Sequence, residues 1–138
     1  SWKPDLIIAS YHGIPQSYFD KGDPYQCYCQ KTSRLIKENF TDVEIRTTFQ
    51  SRFGPQEWLQ PYTDKTLENL PSQGVKNILV ICPGFASDCV ETLEEINIQG
   101  KESFLKNGGE NFDLIPCLND DSDHIKLFET LITRYIIK

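Results

Sequence analysis

The feature that most constrains the fold of this chain is a fourfold alternation of short apolar runs with segments of helical periodicity. The apolar runs span residues 6–9, 43–49, 78–82 and 112–116, and each has the length of a β-strand. Alternation of strands and helices predicts right-handed crossovers and an open parallel sheet with helices on both faces. The sequence therefore predicts an α/β fold, a Rossmann-like half built on a four-stranded parallel sheet.

The apolar runs also differ in a way that predicts their place in the sheet. The first and third are continuously apolar, as expected for central parallel strands that are covered on both faces. The second alternates more, which places it nearer an edge. Ligands of open α/β sheets bind outside the carboxyl ends of the strands. Functional residues are therefore sought in the loops that follow the strands: residues 10–22, 50–62, 83–88 and 117–121.

Capping residues and spacing predict four helices. The first begins at Asp23-Pro24, the second at Thr63 or Asp64, the third at Ser87-Asp88, and the fourth spans residues 122–137. The residues at helical spacing, expected to share the core-facing side of each helix, are Tyr28, Thr32, Leu35 and Phe40 in the first, Leu67 and Leu70 in the second, Val90, Leu93 and Phe104 in the third, and His124, Phe128, Leu131 and Tyr135 in the fourth.

The composition is that of one soluble globular domain covering residues 1–138. A formal charge of −6 without a basic stripe predicts no nucleic-acid partner, because phosphates must be neutralised by clustered Lys and Arg. No segment approaches the ~20 apolar residues of a transmembrane helix. Five cysteines, an odd number without zinc-site spacing, favour a reduced, cytoplasmic protein. Because the sequence lacks an initiating Met, we expect a processed protein or a piece of a longer one.

His12 is the first candidate for chemistry, because it follows the first apolar run and precedes Gly13, which permits a tight turn. An imidazole with a pKa near ~6.5 can accept a proton or bind a metal at neutral pH. A histidine that is hydrogen-bonded within a loop explains the position equally well, so the residue alone does not decide between the two interpretations.

Three carboxylates form the second candidate. Asp88, Glu91 and Glu95 are spaced so that an α-helix would place them on one face, where like charges repel unless a cation neutralises them. Hard oxygen ligands facing an imidazole suit a divalent ion such as ferrous iron. The alternative is that first-turn carboxylates complement the helix dipole, which explains Asp88 better than Glu95.

The long second loop, residues 50–62, is rich in aromatic side chains. Phe53, Trp58 and Tyr62 would form a wall for a flat apolar ligand, or else serve as the packing core of the loop itself. Arg52 would bind a carboxylate through two parallel hydrogen bonds, or else remain solvated.

Several motifs follow one another in a definite order: residues 11–15, 22–25, 50–54 with 57–59 and 61–64, and 82–85 with 88–95. In this order and spacing they resemble the motifs of ferrochelatases, most closely those of bacteria. The similarity covers nearly the whole chain, although complete ferrochelatases are much longer. It implies a chelatase-like fold and the carboxyl-terminal half of a two-domain enzyme.

The resemblance implies insertion of ferrous iron into protoporphyrin IX, the last step of haem synthesis, by a lyase-class metal chelatase. It implies that His12 and Glu91 are the catalytic residues and the metal ligands, with Asp88 and Glu95 as an acidic relay. Which of His12 and Glu91 binds iron and which takes the pyrrole proton stays open. Together with the chemistry of the second loop, the resemblance implies that Tyr11, Arg52, Phe53 and Trp58 bind substrate.

The resemblance also bears on cofactors and partners. Iron is a substrate, no cofactor is required, and no iron–sulfur cluster is predicted, because the cysteine extension that holds one in some members is missing. Many members have histidine where this chain has Cys89. The expected partner is the missing amino-terminal half, without which the domain is expected to be inactive, and peripheral membrane association is left open. The alternatives are a small homodimeric cobalt or nickel chelatase, favoured by length, and a noncatalytic tetrapyrrole- or metal-binding module.

Overall fold

A parallel four-stranded sheet forms the centre of the molecule, in a computed structural model that describes residues 2–136. The strands are β1 (Leu6–His12), β2 (Glu44–Gln50), β3 (Asn77–Ile81) and β4 (Asn111–Leu114). Their order is β2-β1-β3-β4, and each neighbouring pair is parallel. The predicted α/β sheet is therefore confirmed, with the two continuously apolar strands at its centre and the alternating β2 at an edge.

Helices connect successive strands and cover both faces of the sheet. They are α1 (Gln16–Asp20), α2 (Tyr25–Lys37), α3 (Thr63–Asn69), α4 (Lys101–Lys106) and α5 (Ser122–Ile136). A short 3-10 turn, Leu70–Gln73, follows α3, and a π-helix, Glu91–Gly100, runs directly into α4. The short α1 was not predicted. Ile137, which the predicted last helix included, lies outside the described residues.

Strand alternation divides the core between the two faces, because successive side chains of a strand point in opposite directions. Leu6 and Ile8 of β1 pack with Leu67, Leu70 and Phe104 on the face that carries α3, the π-helix and α4. The opposite face, under α2, buries Ala9, Tyr11, Cys29, Phe49 and Leu59. The core positions predicted for Leu67, Leu70 and Phe104 are confirmed.

The predicted inner face of α2 is wrong. Tyr28, Leu35 and Phe40 are exposed, and the helix buries Cys29 and Ser33 instead. The reason is a polar contact: Ser33 Oγ accepts a hydrogen bond from Thr47 at 2.8 Å and lies 3.0 Å from the Tyr11 hydroxyl. Small residues therefore bring α2 close to the sheet.

The third predicted helix differs in start and geometry. It begins as a π-helix at Glu91, and Val90 and Leu93 are exposed instead of buried. Hydrogen bonds from residue i to i+5 widen each turn, so residues that share a face at the α-helical spacing no longer do so. In the last helix His124 is buried, as its place in the predicted face indicated, whereas Phe128, Leu131 and Tyr135 are exposed.

Candidate active site

His12 lies at the end of β1, not in a loop, because the strand continues three residues beyond the predicted run. Ser10, Tyr11 and His12 pair with Thr48, Phe49 and Gln50 of β2. The chain then turns at Gly13, whose N–H donates to the Gln50 carbonyl at 2.8 Å. A Cβ at Gly13 would lie 3.1 Å from that carbonyl oxygen and 3.2 Å from the Trp58 ring, so the close approach favours glycine.

The imidazole of His12 is half-buried, and its tautomer is set by its own loop. Nδ1 lies 2.7 Å from the Gly13 carbonyl oxygen, which can only accept, so Nδ1 carries the proton. In the neutral ring the lone pair is then on Nε2. The ring centroid is 6.5 Å from that of Trp58 and 6.4 Å from that of Phe85. A ring held in this way can accept a proton or bind a cation through Nε2.

Glu91 opens the π-helix and is held as a carboxylate. A hydrogen bond from Cys89 is the main reason that the pKa of the Glu91 carboxyl lies below its usual value, and a backbone hydrogen bond lowers this pKa further. Glu91 and His12 each follow the carboxyl end of a strand, and the two strands, β3 and β1, pair in parallel. The same edge of the sheet therefore carries an ionised carboxylate and an imidazole ring.

Asp88 does not share a helix face with Glu91 and Glu95 as predicted, because Asp88 precedes the π-helix. Asp88 accepts hydrogen bonds from Asn119 Nδ2 at 2.8 Å and from the Thr92 hydroxyl at 3.0 Å, and the bond from Asn119 is the main cause of its lowered pKa. Glu95 instead accepts from the Ser51 N–H at 2.7 Å and from the Ser51 hydroxyl.

The two acids of the predicted relay are thus tied to different segments of the chain. Asp88 is held to the loop before α5, and Glu95 is held to the end of β2. Within residues 2–136, no group of three or more His, Cys, Asp and Glu side chains is close enough to hold a metal ion.

The aromatic side chains of the second loop form a small stack. Phe53 is 72% exposed and lies with its centroid 5.1 Å from that of Trp58, which is only 4% exposed and donates from Nε1 to the Phe53 carbonyl at 3.0 Å. The Tyr62 ring is not part of this stack. Its hydroxyl accepts from the backbone N–H of Trp58 at 3.4 Å, and the Arg52 guanidinium lies 3.9 Å above its ring while pairing with Asp64 at 2.7 Å. Phe53 is therefore the member of the Phe53–Trp58 stack that offers an open surface to a flat ligand.

The substrate contact predicted for Tyr11 does not fit the structure. Its side chain is 3% exposed and packs in the core under α2, on the face of the sheet opposite His12. The reason is the period of a β-strand, which turns neighbouring residues to opposite faces. Tyr11 contributes to the core instead.

Three residues near the site were not singled out by the sequence argument. Gln50 and Ser51 bind the π-helix through their side chains, and Phe85 lies beside His12. The signal that points to the first two is a polar pair at the carboxyl end of a strand, where ligands of such sheets bind. Phe85 lies in the loop of residues 83–88 that follows β3, where the same rule applies.

Two depressions flank this region. A cleft of about 370 Å³ between α3 and the π-helix is lined by Arg52, Asp64 and Glu95, among other residues. A more open groove of about 400 Å³ is lined by Ser51, Arg52, Glu91 and Glu95. Glu91 and Glu95 therefore share one groove with Arg52 on its wall.

A solved structure with this architecture is that of a putative cobalamin (vitamin B12) biosynthesis CbiX protein from Marinobacter aquaeolei. Its TM-score to this chain is 0.57 with 12% sequence identity, and the alignment covers 96% of this chain and 98% of that one. The sheet order and this likeness define a chelatase-like α/β fold.

The sequence comparisons are more specific than the fold. A sequence model of the ferrochelatase family matches residues 2–136. The chain is 62% identical over 135 residues to a ferrochelatase of Rhizobium etli and 58% identical to one of Agrobacterium fabrum, in each case over 96% of its length. A ferrochelatase of Brucella ovis is 55% identical over 99% of the chain. The chain belongs to the ferrochelatase family.

These relatives are considerably longer than the chain. The aligned segment makes up 39% of the Rhizobium and Agrobacterium proteins and 40% of the Brucella protein. The chain thus spans about two fifths of the curated relatives that it matches. Among residues 2–136, no helix is both long enough and apolar enough to cross a bilayer.

Proposed function

We propose that the protein to which this chain belongs inserts ferrous iron into protoporphyrin IX and so makes haem. The observation that carries the proposal is that His12 ends β1 and that Glu91 opens the π-helix after β3, the strand that pairs in parallel with β1, so both residues follow the carboxyl ends of neighbouring strands. The ferrochelatases that are about 60% identical over nearly the whole chain support the same activity.

The reaction removes two pyrrole protons and puts one dication in their place, so the product is neutral at its centre. The Nε2 lone pair of His12 suits acceptance of a proton, and the ionised Glu91 suits binding of the cation or a second proton transfer. The charge balances whether Glu91 binds the cation or takes the second proton. Iron enters as substrate, and the proposed chemistry uses no resident cofactor and no iron–sulfur cluster.

The surrounding side chains suit a flat ligand that carries carboxylates. The exposed ring of Phe53, resting on Trp58, offers an apolar surface to a macrocycle. Arg52 lies on the wall of the groove, where it pairs with Asp64. It would bind a substrate carboxylate in place of the Asp64 carboxylate. Because an exposed ion pair of this kind contributes only about 0–1 kcal/mol, the exchange costs little.

The proposal is tested by steady-state haem formation from ferrous iron and protoporphyrin IX with the full-length protein. Turnover supports it. A spectral shift of bound porphyrin without turnover would indicate a noncatalytic tetrapyrrole-binding module. Insertion of cobalt or nickel with no insertion of iron would indicate the other chelatase class, which the CbiX-like fold alone would also allow.

The exposed apolar face of α5 supports the proposal that a missing half of the protein is the partner of this chain. Among positions 122–136 of α5, His124 is the one buried residue. The large apolar side chains of α5 that are between 40% and 79% exposed are Ile125, Leu127, Phe128, Leu131, Ile132, Tyr135 and Ile136. Polar residues occupy the opposite side of the helix, so α5 has a wide apolar face without a covering layer in residues 2–136.

We assign this face to the amino-terminal portion of the longer protein. About three fifths of each relative lies outside the aligned segment, which is enough chain for a second domain. A lipid surface suits α5 poorly, since membrane-surface helices are rich in Lys and Arg, whereas α5 carries two acidic and two basic side chains up to residue 136. We also propose that the 138-residue chain alone does not make haem, because it supplies only one wall of the active-site cleft. We further propose that the protein is cytoplasmic.

In the full-length protein, Leu131→Asp on the apolar face is expected to lower the melting temperature, whereas Thr133→Asp on the polar face is not. Dissociation of an oligomer by Leu131→Asp would indicate that a second copy covers α5. Loss of binding to anionic vesicles would indicate a membrane instead. Equal melting temperatures for the two variants would refute burial of the face.

A further inference from the structure

The buried amide of Gln50 joins two parts of the site that are far apart in the sequence. Gln50 ends β2, and only 2% of it is exposed. Its backbone pairs with His12 across the sheet and accepts a hydrogen bond from the Gly13 N–H at 2.8 Å. Its side chain extends to the π-helix and donates from Nε2 to the Glu91 carbonyl at 2.7 Å. One residue therefore holds both the His12 turn and the Glu91 backbone.

Neighbouring groups determine which way the amide points. The Ser10 hydroxyl donates to Oε1 at 2.7 Å, and the Cys82 thiol lies 3.6 Å from the same oxygen. Because an amide has one accepting and one donating end, an oxygen held by Ser10 leaves Nε2 facing the π-helix. There Nε2 also lies 3.4 Å from a carboxylate oxygen of Glu95. The reversed amide would place its oxygen against a carbonyl and a carboxylate.

We infer that Gln50 is a positioning residue for metal insertion, which fixes the Glu91 end of the π-helix relative to His12. The inference rests on the proposed function, since it concerns two groups that must act on one macrocycle. Gln50 itself need not touch substrate, because both ends of its amide already have protein partners. Small displacements of reacting groups are costly: a shift of about 1 Å can lower a rate about 10²-fold.

The test compares variants of the full-length protein. Gln50→Met keeps the side-chain length without hydrogen bonds, and Gln50→Glu keeps the acceptor for Ser10 without the donor. Both are expected to lower kcat at least tenfold while KM for porphyrin stays within twofold, and Ser10→Ala is expected to lower kcat less. The matched control is Thr47→Val, which removes a buried hydrogen bond to Ser33 on the other face of β2. It should lower the melting temperature and leave kcat unchanged.

Amide hydrogen exchange in residues 91–96 gives a second readout that does not depend on turnover. It should be faster in Gln50→Met than in wild type and unchanged in Thr47→Val. Unchanged kcat and exchange in Gln50→Met would overturn the inference, as would a parallel loss of kcat and melting temperature in the control. If Gln50→Met does not fold, unchanged exchange in Ser10→Ala overturns it. A wild-type protein that forms no haem would refute the proposed function. Faster exchange in Gln50→Met would still support the conclusion that Gln50 holds the Glu91 end of the π-helix.

Discussion

Replacing His12 with alanine in the full-length protein is expected to abolish metal insertion while the protein stays folded. The ring is half-buried, its Nδ1 bonds only to the adjacent Gly13 carbonyl, and the neighbouring ring centroids are 6.4 and 6.5 Å away. Loss of one such hydrogen bond costs about 1 kcal/mol. Domains are typically stable by about 5–15 kcal/mol, so the variant should remain folded at assay temperature.

The effect on catalysis should be much larger than the effect on stability. A positioned acid or base contributes about 10²- to 10⁴-fold to a rate, and each factor of ten corresponds to about 1.4 kcal/mol of barrier. We therefore expect kcat to fall at least about 100-fold. Iron or zinc insertion into porphyrin measures the rate, thermal unfolding of the same preparation measures stability, and added imidazole should restore part of the rate.

His124→Ala is the matched control, because the chain contains two histidines. His124 is buried, lies with Nδ1 2.8 Å from the Asn119 carbonyl oxygen and packs 4.4 Å from the Phe128 ring centroid. Its replacement should reduce stability and leave kcat unchanged. Activity of His12→Ala within tenfold of wild type would refute a chemical role. An unfolded His12→Ala protein would refute the argument that the ring carries little of the stability.

Two further predictions concern stability. A Cβ at Gly109 would overlap the buried ring of Phe104, so Gly109→Ala is expected to destabilise by about 1–3 kcal/mol in thermal melts, and adding Phe104→Leu should recover part of the loss. Hydrogen bonds from two backbone N–H groups hold the pKa of Asp5 below its usual value, so its contribution to stability is present above pH ~4 and lost as pH falls through the folded pKa. The melting temperature of wild type should therefore exceed that of Asp5→Asn at pH 7, and the difference should shrink as the pH falls below ~4. A difference that stays constant as the pH falls would contradict this reasoning.

The central part of the candidate site was accessible to sequence reasoning. His12 and Glu91 follow the first and third apolar runs, and the carboxyl ends of neighbouring parallel strands meet at one edge of a sheet. Placing both residues at this edge needs only the recognition that each follows a central parallel strand.

The hydrogen bonds that hold the site were not accessible in the same way. Gln50 and Glu91 are 41 residues apart, and no local pattern indicates that an amide at the end of β2 binds the carbonyl of Glu91. Asp88 and Glu95 are separated because Asp88 lies before the π-helix that holds Glu95, although their spacing predicted one face. Tyr11 was misplaced because β1 extends beyond its apolar run, which turns the ring away from His12.

The order of strands and helices, the central position of β1 and β3 and the location of the loops follow from residue patterns, because burial on one or two faces imposes a period that any local window of sequence records. The side of each helix that meets the sheet, the π-helix geometry and the contacts of Gln50, Ser51 and Glu95 arise only when distant segments pack. Buried polar residues such as Ser33 and Gln50 decide these contacts, because a buried polar group must find a partner wherever the fold places one.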